Sequence, residues 1–141
     1  MMNYEFDENC IYKTIRIDDS LLNEVINKYK GLGYLVILYA HVGSLFTRYP
    51  NPQIRDFVHQ QVDKGVDCII TVHSHVLGGM EVYKDVPIFY SLGDFLMDGA
   101  SFRRRRSCVL NLSIVDNRIV NWDIIPTITD LDSLVKMAML K

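Results

Sequence analysis

The sequence predicts an α/β protein in which a parallel strand–helix–strand unit is followed by mostly antiparallel strands and a C-terminal helix. Two apolar runs, 34–40 and 66–72, flank an amphipathic segment at 53–64. Between residues 80 and 125, apolar and polar residues alternate along several short segments. These patterns indicate one domain that covers 1–141 and contains both parallel and antiparallel strands.

The first forty residues predict a strand, a helix and a second strand. Apolar and polar residues alternate over 11–17, which favours a half-buried strand. A helix is expected to follow, because acidic and hydroxyl residues at 18–20 are good helix-start residues. Apolar residues then recur at helical spacing: Leu21, Leu22, Val25, Ile26 and Tyr29. We expect Gly31 to end this helix in a left-handed conformation, and 34–40 to be a strand covered on both faces.

The central segment predicts a loop over 42–52, a helix over 53–64 and a strand over 66–72. The apolar face of the helix is formed by Ile54, Phe57, Val58, Gln61 and Val62. His59 falls beside that stripe and is expected to be a partly exposed helix residue. The short links predict that the flanking strands are parallel, with a right-handed crossover.

The second half predicts strands at 80–84, 86–91, 108–115 and 118–125. The last two are expected to form a hairpin through a two-residue turn at Asp116 and Asn117. Pro126 is expected to end the second strand of that hairpin. A final helix is predicted over 130–140, with one face made by Leu131, Leu134, Val135 and Ala138.

Composition narrows the class of function. The chain has 141 residues, 49% of them hydrophobic and 23% charged, with a formal net charge of −2. That balance argues against a protein that binds nucleic-acid backbone. No apolar run approaches the ~20 residues that span a bilayer, and the acidic first ten residues do not resemble a signal peptide. The sequence thus predicts a soluble protein, on the cytoplasmic or extracytoplasmic face.

Three cysteines, widely separated, fit neither a disulfide framework nor a paired-cysteine zinc motif. Cys68 and Cys108 lie in apolar runs and are expected to be small buried hydrophobes.

Histidines follow two consecutive predicted strands. His41 comes after the run at 34–40, and His73 and His75 come after the strand at 66–72. In open parallel sheets, ligands bind beyond the carboxyl ends of the strands, and neutral imidazole is the commonest metal ligand in proteins. This placement predicts a metal site, although a His-x-His pair by itself is more often part of a polar surface loop.

Five segments, in this order and spacing, resemble the CapA family of poly-γ-glutamate capsule synthesis proteins, which have a calcineurin-like metallophosphoesterase fold. They are His41-Val42-Gly43, Tyr49-Pro50-Asn51-Pro52-Gln53, Gly65-Val66-Asp67-Cys68-Ile69-Ile70, His73-Ser74-His75-Val76 and Tyr90-Ser91-Leu92-Gly93-Asp94-Phe95. The resemblance covers about 10–130 and corresponds to the C-terminal part of the family's domain, a metallophosphatase-like two-sheet α/β sandwich.

The resemblance implies a divalent metal ion, Mn or Zn, held by His41, His73 and His75. It also implies catalytic roles for Asp94, which matches an asparagine of the family's Ser-Leu-Gly-Asn-Phe segment, and for His41. Glu81 is a weaker candidate for a carboxylate at the site. The alternative for Asp94 is that it caps a turn after Gly93.

Several residues differ from the family pattern. Val42 replaces a tryptophan, Leu45 a glutamate, Ser74 a proline and Thr71 a glycine. The family's Gly-Asp, Asn-Leu-Glu and Asn-Asn-His segments have no counterpart in residues 1–40. Three histidines can hold one ion in an open site, but a two-metal centre needs more ligands. Hydrolase activity is therefore expected to require a second copy of the chain or a complementary N-terminal chain.

Two other functions remain open at this point. A sheet that is part of a larger sandwich exposes strand edges and apolar faces, which favour an oligomerisation or interaction module without catalysis. The run formed by Arg103, Arg104, Arg105 and Arg106 is a candidate site for an anionic polymer, although such runs are usually solvated surface.

Overall fold

The computed structural model describes residues 19–95, 102–129 and 135–137, which form two helices and two β-sheets. In chain order these are α1 (Asp19–Gly31), β1 (Ile37–His41), α2 (Pro52–Asp63), β2 (Cys68–Val72), β3 (Met80–Tyr83), β4 (Val86–Tyr90), β5 (Arg106–Val115), β6 (Arg118–Thr129) and β7 (Val135–Met137). The first sheet has the strand order β1-β2-β4-β3 and the second β5-β6-β7. This confirms the mixed α/β class. The predicted strand at 11–17 lies outside the described residues.

The first sheet contains the predicted parallel unit. β1 pairs with β2 and β2 with β4, both in parallel, whereas β3 runs antiparallel to β4. The two helices share one hydrophobic core with these strands, because Ile26 of α1 and Val58 of α2 belong to the same buried cluster as Ile69 and Ile88. Burial of these apolar side chains is the main force that holds the helices on the sheet.

β1 is the outer strand of the first sheet, so the prediction that it is covered on both faces is wrong. Leu38 packs against the helix-side core. Ile37 and Tyr39 point to the other face and are 40% and 66% exposed. The long apolar run suggested a central strand because hydropathy alone does not distinguish a covered face from an uncovered one. Among the described residues, no strand pairs with the outer edge of β1.

The first helix ends at Gly31, as predicted, but the left-handed residue is Gly33 and not Gly31. Gly31 is still helical, and Gly33 adopts the left-handed conformation with a φ of 79°. The N–H of Tyr34 donates to the carbonyl of Tyr29 (3.0 Å), which closes the last turn. The second helix begins as expected: the Asn51 side chain accepts from the N–H of Ile54 at 2.9 Å. In the described residues, neither helix is long and apolar enough to cross a membrane.

The second sheet is built on the predicted hairpin. Asp116 and Asn117 have φ values of 48° and 57°, as a two-residue hairpin turn requires. Contrary to expectation, β6 continues through Pro126 to Thr129. Pro126 lies opposite Cys108, whose N–H points away from β6 to the carbonyl of Leu92 at 2.9 Å. The Pro126 nitrogen therefore points away from β5 as well, and among the described residues pairing with β7 starts at Thr127, so no hydrogen bond between described strands is lost.

The prediction of a helix over 130–140 is wrong at Val135–Met137, which form β7 and pair antiparallel with Thr127–Thr129. The rest of that segment lies outside the described residues. A short apolar segment is ambiguous between helix and strand, and pairing with an available strand decides the outcome.

The two sheets meet at the segment that follows β4. A Cβ atom on Gly93 would lie 2.6 Å from the carbonyl oxygen of Arg106, so only glycine permits this approach. The Cys108–Leu92 hydrogen bond joins the same two segments. Cys68 and Cys108 are buried, as predicted, and burial raises the pKa of the Cys68 thiol to about 12. The meeting of the sheets brings Asp94 and Arg104 into the same region of the molecule.

Candidate metal centre

The site begins where the parallel strands β1 and β2 end side by side. The register pairs His41 with Val72, so His73 follows immediately beside His41. Their imidazoles are in contact, with His41 Nε2 2.9 Å from His73 Nδ1. In this arrangement one ring nitrogen donates its proton and the other accepts it. The structure thus brings His41 and His73 together at the carboxyl end of the sheet.

The turn that carries His73 and His75 has unusual backbone geometry. His73 has a φ of 122° and His75 a φ of 57°, both in regions that residues with a side chain seldom adopt. Ser74 between them is buried, and its hydroxyl donates to the carbonyl of Val76 at 3.0 Å. The carbonyl of Ser74 accepts from the N–H of Phe46 at 2.8 Å. These contacts hold two strained histidines in place, and such strain is typical of functional sites.

His75 is oriented by a carboxylate. Its Nδ1 lies 2.8 Å from Oδ1 of Asp94, whose side chain is only 12% exposed. Because the carboxylate accepts, Nδ1 carries the proton and the Nε2 lone pair is left for another partner. This is the arrangement by which carboxylates fix the tautomer of metal-binding histidines. In the part of the chain that the structure describes, the Asp94 side chain thus contacts the His75 imidazole.

Arg104 completes this arrangement on the other side of Asp94. Its Nε lies 3.6 Å from Oδ2 of Asp94. The guanidinium carbon is 5.8 Å from the centre of the Phe46 ring, which itself lies 6.5 Å from the ring of His75. The side chain of Arg104 thus faces the Asp94 oxygen that does not contact His75. The resulting Arg104–Asp94–His75 chain is held by segments that are distant in the sequence.

The three predicted metal ligands do not form one cluster. The ring centres of His73 and His75 are 6.4 Å apart, compared with 5.0 Å for His41 and His73. Within the part of the chain that the structure describes, no three histidine, cysteine, aspartate or glutamate side chains converge closely enough to hold a metal ion. The site is thus a pair of histidines with a third histidine beside it.

The spacing of the two nitrogens differs from that in a zinc site. Two nitrogens bound to one tetrahedral zinc, each ~2.0–2.1 Å from it, lie about 3.4 Å apart. His41 Nε2 and His73 Nδ1 lie 2.9 Å apart and share a hydrogen bond, so an ion would have to displace the shared proton and turn the rings. Imidazole nitrogens are good donors for Zn, whereas Mn prefers oxygen ligands.

Glu81, the weaker candidate for a site carboxylate, lies in a different cluster. Its Oε1 accepts from the ring N–H of His59 and from the hydroxyl of Tyr90, each at 2.7 Å. The His59 ring also stacks on Tyr83, with 3.9 Å between the ring centres. His59 is partly exposed, as predicted, and its hydrogen bond to Glu81 connects α2 with β3. We therefore withdraw Glu81 as a candidate ligand of the histidine site.

The Glu81 cluster predicts a pH dependence of stability. Burial raises the pKa of Glu81, but the hydrogen bonds from Tyr90 and His59 outweigh it, and the pKa lies below its usual 4.5. A carboxyl whose pKa is lower in the folded state stabilises the protein above its unfolded pKa and loses that contribution as the pH falls through its folded pKa. We expect the unfolding free energy to fall below pH 4.5, and less steeply in Glu81→Gln. Urea unfolding from pH 6 to 3 measures this, and Glu24→Gln, at an exposed position, should match the wild type.

Comparison with known proteins assigns the chain to a family. Residues 4–99 match the family described as bacterial capsule synthesis protein PGA_cap. The chain belongs to the PGA_cap family. It is 35% identical over 97 residues to the capsule biosynthesis protein CapA of Bacillus anthracis. It is 30% identical over 109 residues to the PGA biosynthesis protein CapA of Bacillus subtilis (strain 168).

The chain corresponds to only a minor part of each of the two Bacillus proteins. The similar regions take up 69% and 77% of the chain, but only 24% and 29% of the two Bacillus proteins. The family resemblance seen in the sequence is therefore confirmed. Its limits differ from those predicted, because the matched region begins at residue 4 and ends at residue 99, before β5.

The site residues predicted from the sequence all lie within the region that matches the PGA_cap family, and one that was not predicted lies after it. His41, His73, His75 and Asp94 lie inside it, whereas Arg104 lies beyond it. In the sequence, Arg104 looks like its neighbours in the arginine run, and no local signal distinguishes it. In the structure the run divides: Arg104 reaches Asp94, whereas Arg105 and Arg106 lie over the Phe102 ring at 5.4 and 4.3 Å. Phe46 was also missed, because it lies in a loop without periodicity.

Proposed function

We propose that this chain provides the histidine half of a divalent-metal site in a PGA_cap domain that acts in capsule biosynthesis. The observation that carries the proposal is the contact between His41 Nε2 and His73 Nδ1 at the ends of adjacent parallel strands. His75 lies beside this pair, with 6.4 Å between its ring centre and that of His73, and we propose that its Nε2, left available by the contact with Asp94, turns toward the ion when the site is completed. Mn and Zn are the ions that we propose for it.

The chemistry proposed for the completed site is hydrolysis of a phosphoester. A divalent ion supplies Lewis-acid stabilisation and activates water in such sites. The residues of this chain would hold the ion and fix the imidazoles: Asp94 sets the tautomer of His75, and Arg104 lies on the other side of Asp94. His41, which is exposed, would also donate or accept a proton through the ring nitrogen that does not bind the ion. Two donors with a third nearby do not build a two-ion centre, so further ligands would come from another polypeptide segment.

Docking at the edge of the sheet is the route that we propose for completing the site. β1 is the outer strand and ends at His41, so a strand paired in parallel with it would end beside the histidines. In a dimer with two-fold symmetry, the β1 strands of the two copies would instead pair antiparallel. The two His41 residues would then lie at opposite ends of the paired strands. The geometry thus favours a complementary N-terminal chain over a homodimer as the source of the missing ligands.

A non-catalytic interaction module is the second candidate. The outer edge of β1 and the exposed Ile37 and Tyr39 favour it, since uncovered edges and apolar side chains promote association. The two functions differ in one respect: only the first requires the histidines to bind a metal ion.

Metal titration tests the proposal. We expect the EDTA-stripped protein to bind one equivalent of Zn or Mn in a calorimeter, and His73→Ala to bind about 100-fold more weakly, because loss of even an outer-shell partner weakens a metal site ~10–100-fold. His59→Ala is the matched control: it removes an imidazole from the Glu81 cluster and should leave the affinity unchanged.

Two results would contradict the metal site. One is binding that is indifferent to His73→Ala, or equally weakened in His59→Ala. The other is no binding by the wild type, which would leave the interaction module as the supported function. Shifts of the His41 and His73 ring nitrogen resonances on adding Zn give a second readout, independent of catalysis.

A further inference from the structure

We propose that a second pocket, separate from the histidines, binds an oxyanion, that is, a phosphate or carboxylate group. The pocket has a volume of about 260 Å³ and is lined by Arg48, Tyr49, Leu77, Gly78, Gly79 and Arg106. This volume accommodates an anionic head group and part of the molecule that carries it. The proposal does not depend on a metal ion at the histidine site.

Charge is the main argument for an anion. Two of the six lining residues are arginines, and none is acidic. Among the described residues, neither Arg48 nor Arg106 forms an ion pair with an aspartate or a glutamate. Two like charges that share a pocket repel each other, and an oxyanion between them removes that repulsion. Guanidinium groups suit this role, since their N–H groups match carboxylate and phosphate oxygens two at a time.

Contacts of the two arginines leave their charge available for a ligand. The guanidinium of Arg106 lies 4.3 Å from the centre of the Phe102 ring, a neutral partner. The backbone of Arg48 is fixed because its carbonyl accepts from the N–H of Gly79 at 2.9 Å. A side chain that is already held near the pocket binds an anion at a lower entropic cost than a freely mobile one does, and in this pair that side chain is Arg106.

The glycines form the wall of the pocket and do not recognise the ligand. The N–H of Gly78 already donates to the carbonyl of Ser91 at 3.0 Å, and that of Gly79 to Arg48. No backbone donor of this pair is left for an anion, so recognition falls on the two guanidinium groups. The substitutions that test the pocket are therefore at the arginines.

The pocket shares two segments with the histidine site. The loop after β2 carries His75 and then Leu77, Gly78 and Gly79. The segment before β5 carries Arg104, which contacts Asp94, and then Arg106. A ligand with several acidic groups could therefore contact the pocket and the Arg104 region together, which would anchor a negatively charged polymer or a phosphorylated substrate near the histidines.

Calorimetric or NMR titration of the EDTA-treated protein tests the pocket, with inorganic phosphate and a tetraglutamate peptide as probes. We expect saturable binding of at least one probe and at least tenfold weaker binding by the double variant Arg48→Ala/Arg106→Ala. Binding should weaken as salt is raised. The matched control is Arg103→Ala/Arg118→Ala, which removes the same charge: Arg118 is exposed at the opposite end of the β5–β6 hairpin from Arg106, and Arg103 is exposed and does not line the pocket.

Each result of these titrations has a different meaning for the proposed pocket. Binding of phosphate alone identifies the ligand as a phosphate group, and binding of tetraglutamate alone identifies a carboxylate. No binding of either probe, or equal loss in the test and control variants, overturns the pocket. His73→Ala should bind both probes like the wild type, so failure of the metal site and failure of this pocket are distinguishable.

Discussion

Replacing Gly78 by alanine is expected to destabilise the protein by about 3 kcal/mol or more, a large fraction of the stability of an ordinary domain. A Cβ atom at this position would lie 1.3 Å from the carbonyl oxygen of Tyr90 and 2.5 Å from its carbonyl carbon. The obstacle is backbone, which cannot rotate away. Two hydrogen bonds fix the approach, from Gly78 to Ser91 (3.0 Å) and from Tyr90 to Gly79 (2.9 Å).

The neighbouring glycine provides the control for this variant. A Cβ atom on Gly79 would meet nothing closer than 3.7 Å, so Gly79→Ala should change the unfolding free energy little. Urea denaturation of both variants, with the slope checked for constancy, measures the difference. Similar midpoints for the two alanine variants would show that the loop before β3 relaxes and that the close approach is not required.

The second large effect is expected for Ile69→Ala, at about 3 kcal/mol of lost unfolding free energy. Ile69 is fully buried in β2, between Leu38 of β1 and Ile88 of β4. Removing three carbons there leaves a cavity that α2 and the neighbouring strands cannot fill without moving. The loss therefore includes both the transfer free energy and the cavity term.

Ile37→Ala removes the same atoms from the same sheet and serves as the control. Ile37 is 40% exposed, so its truncation should cost well under half as much. Thermal and urea unfolding of the two variants gives the comparison. Equal losses would mean that the outer face of β1 is covered in solution, for example by a partner chain.

The fold was predictable where local pattern and pairing agree. The parallel unit of β1, α2 and β2 could be identified because its apolar runs are separated by a helix of ordinary length. The hairpin turn at Asp116 and Asn117 could be identified because few residues tolerate positive φ. The errors arose where pairing decided the outcome. β6 continues through Pro126 because the nitrogen of that residue points away from β5, and Val135–Met137 pair with β6 as a strand.

The candidate site was predictable only in its parallel part. His41 and His73 could be placed together because the carboxyl ends of adjacent parallel strands coincide, a rule that needs no side-chain detail. The partnership of His75 with Asp94 and Arg104 depends on how the second sheet meets the first. That packing is set by contacts such as Gly93 against Arg106, which leave no periodic trace in the sequence.

His41 lies on β1, the outer strand among those described, so its contact with His73 can be lost without unfolding of the whole protein. Strands at a sheet edge open by local fluctuation at a lower free energy than the core, and their backbone N–H groups exchange with solvent sooner. Opening of β1 would separate His41 from His73 while α2, β2 and β4 remain folded. Any ligand that needs both imidazoles therefore binds only the closed edge, and its observed affinity includes the free energy of closing β1.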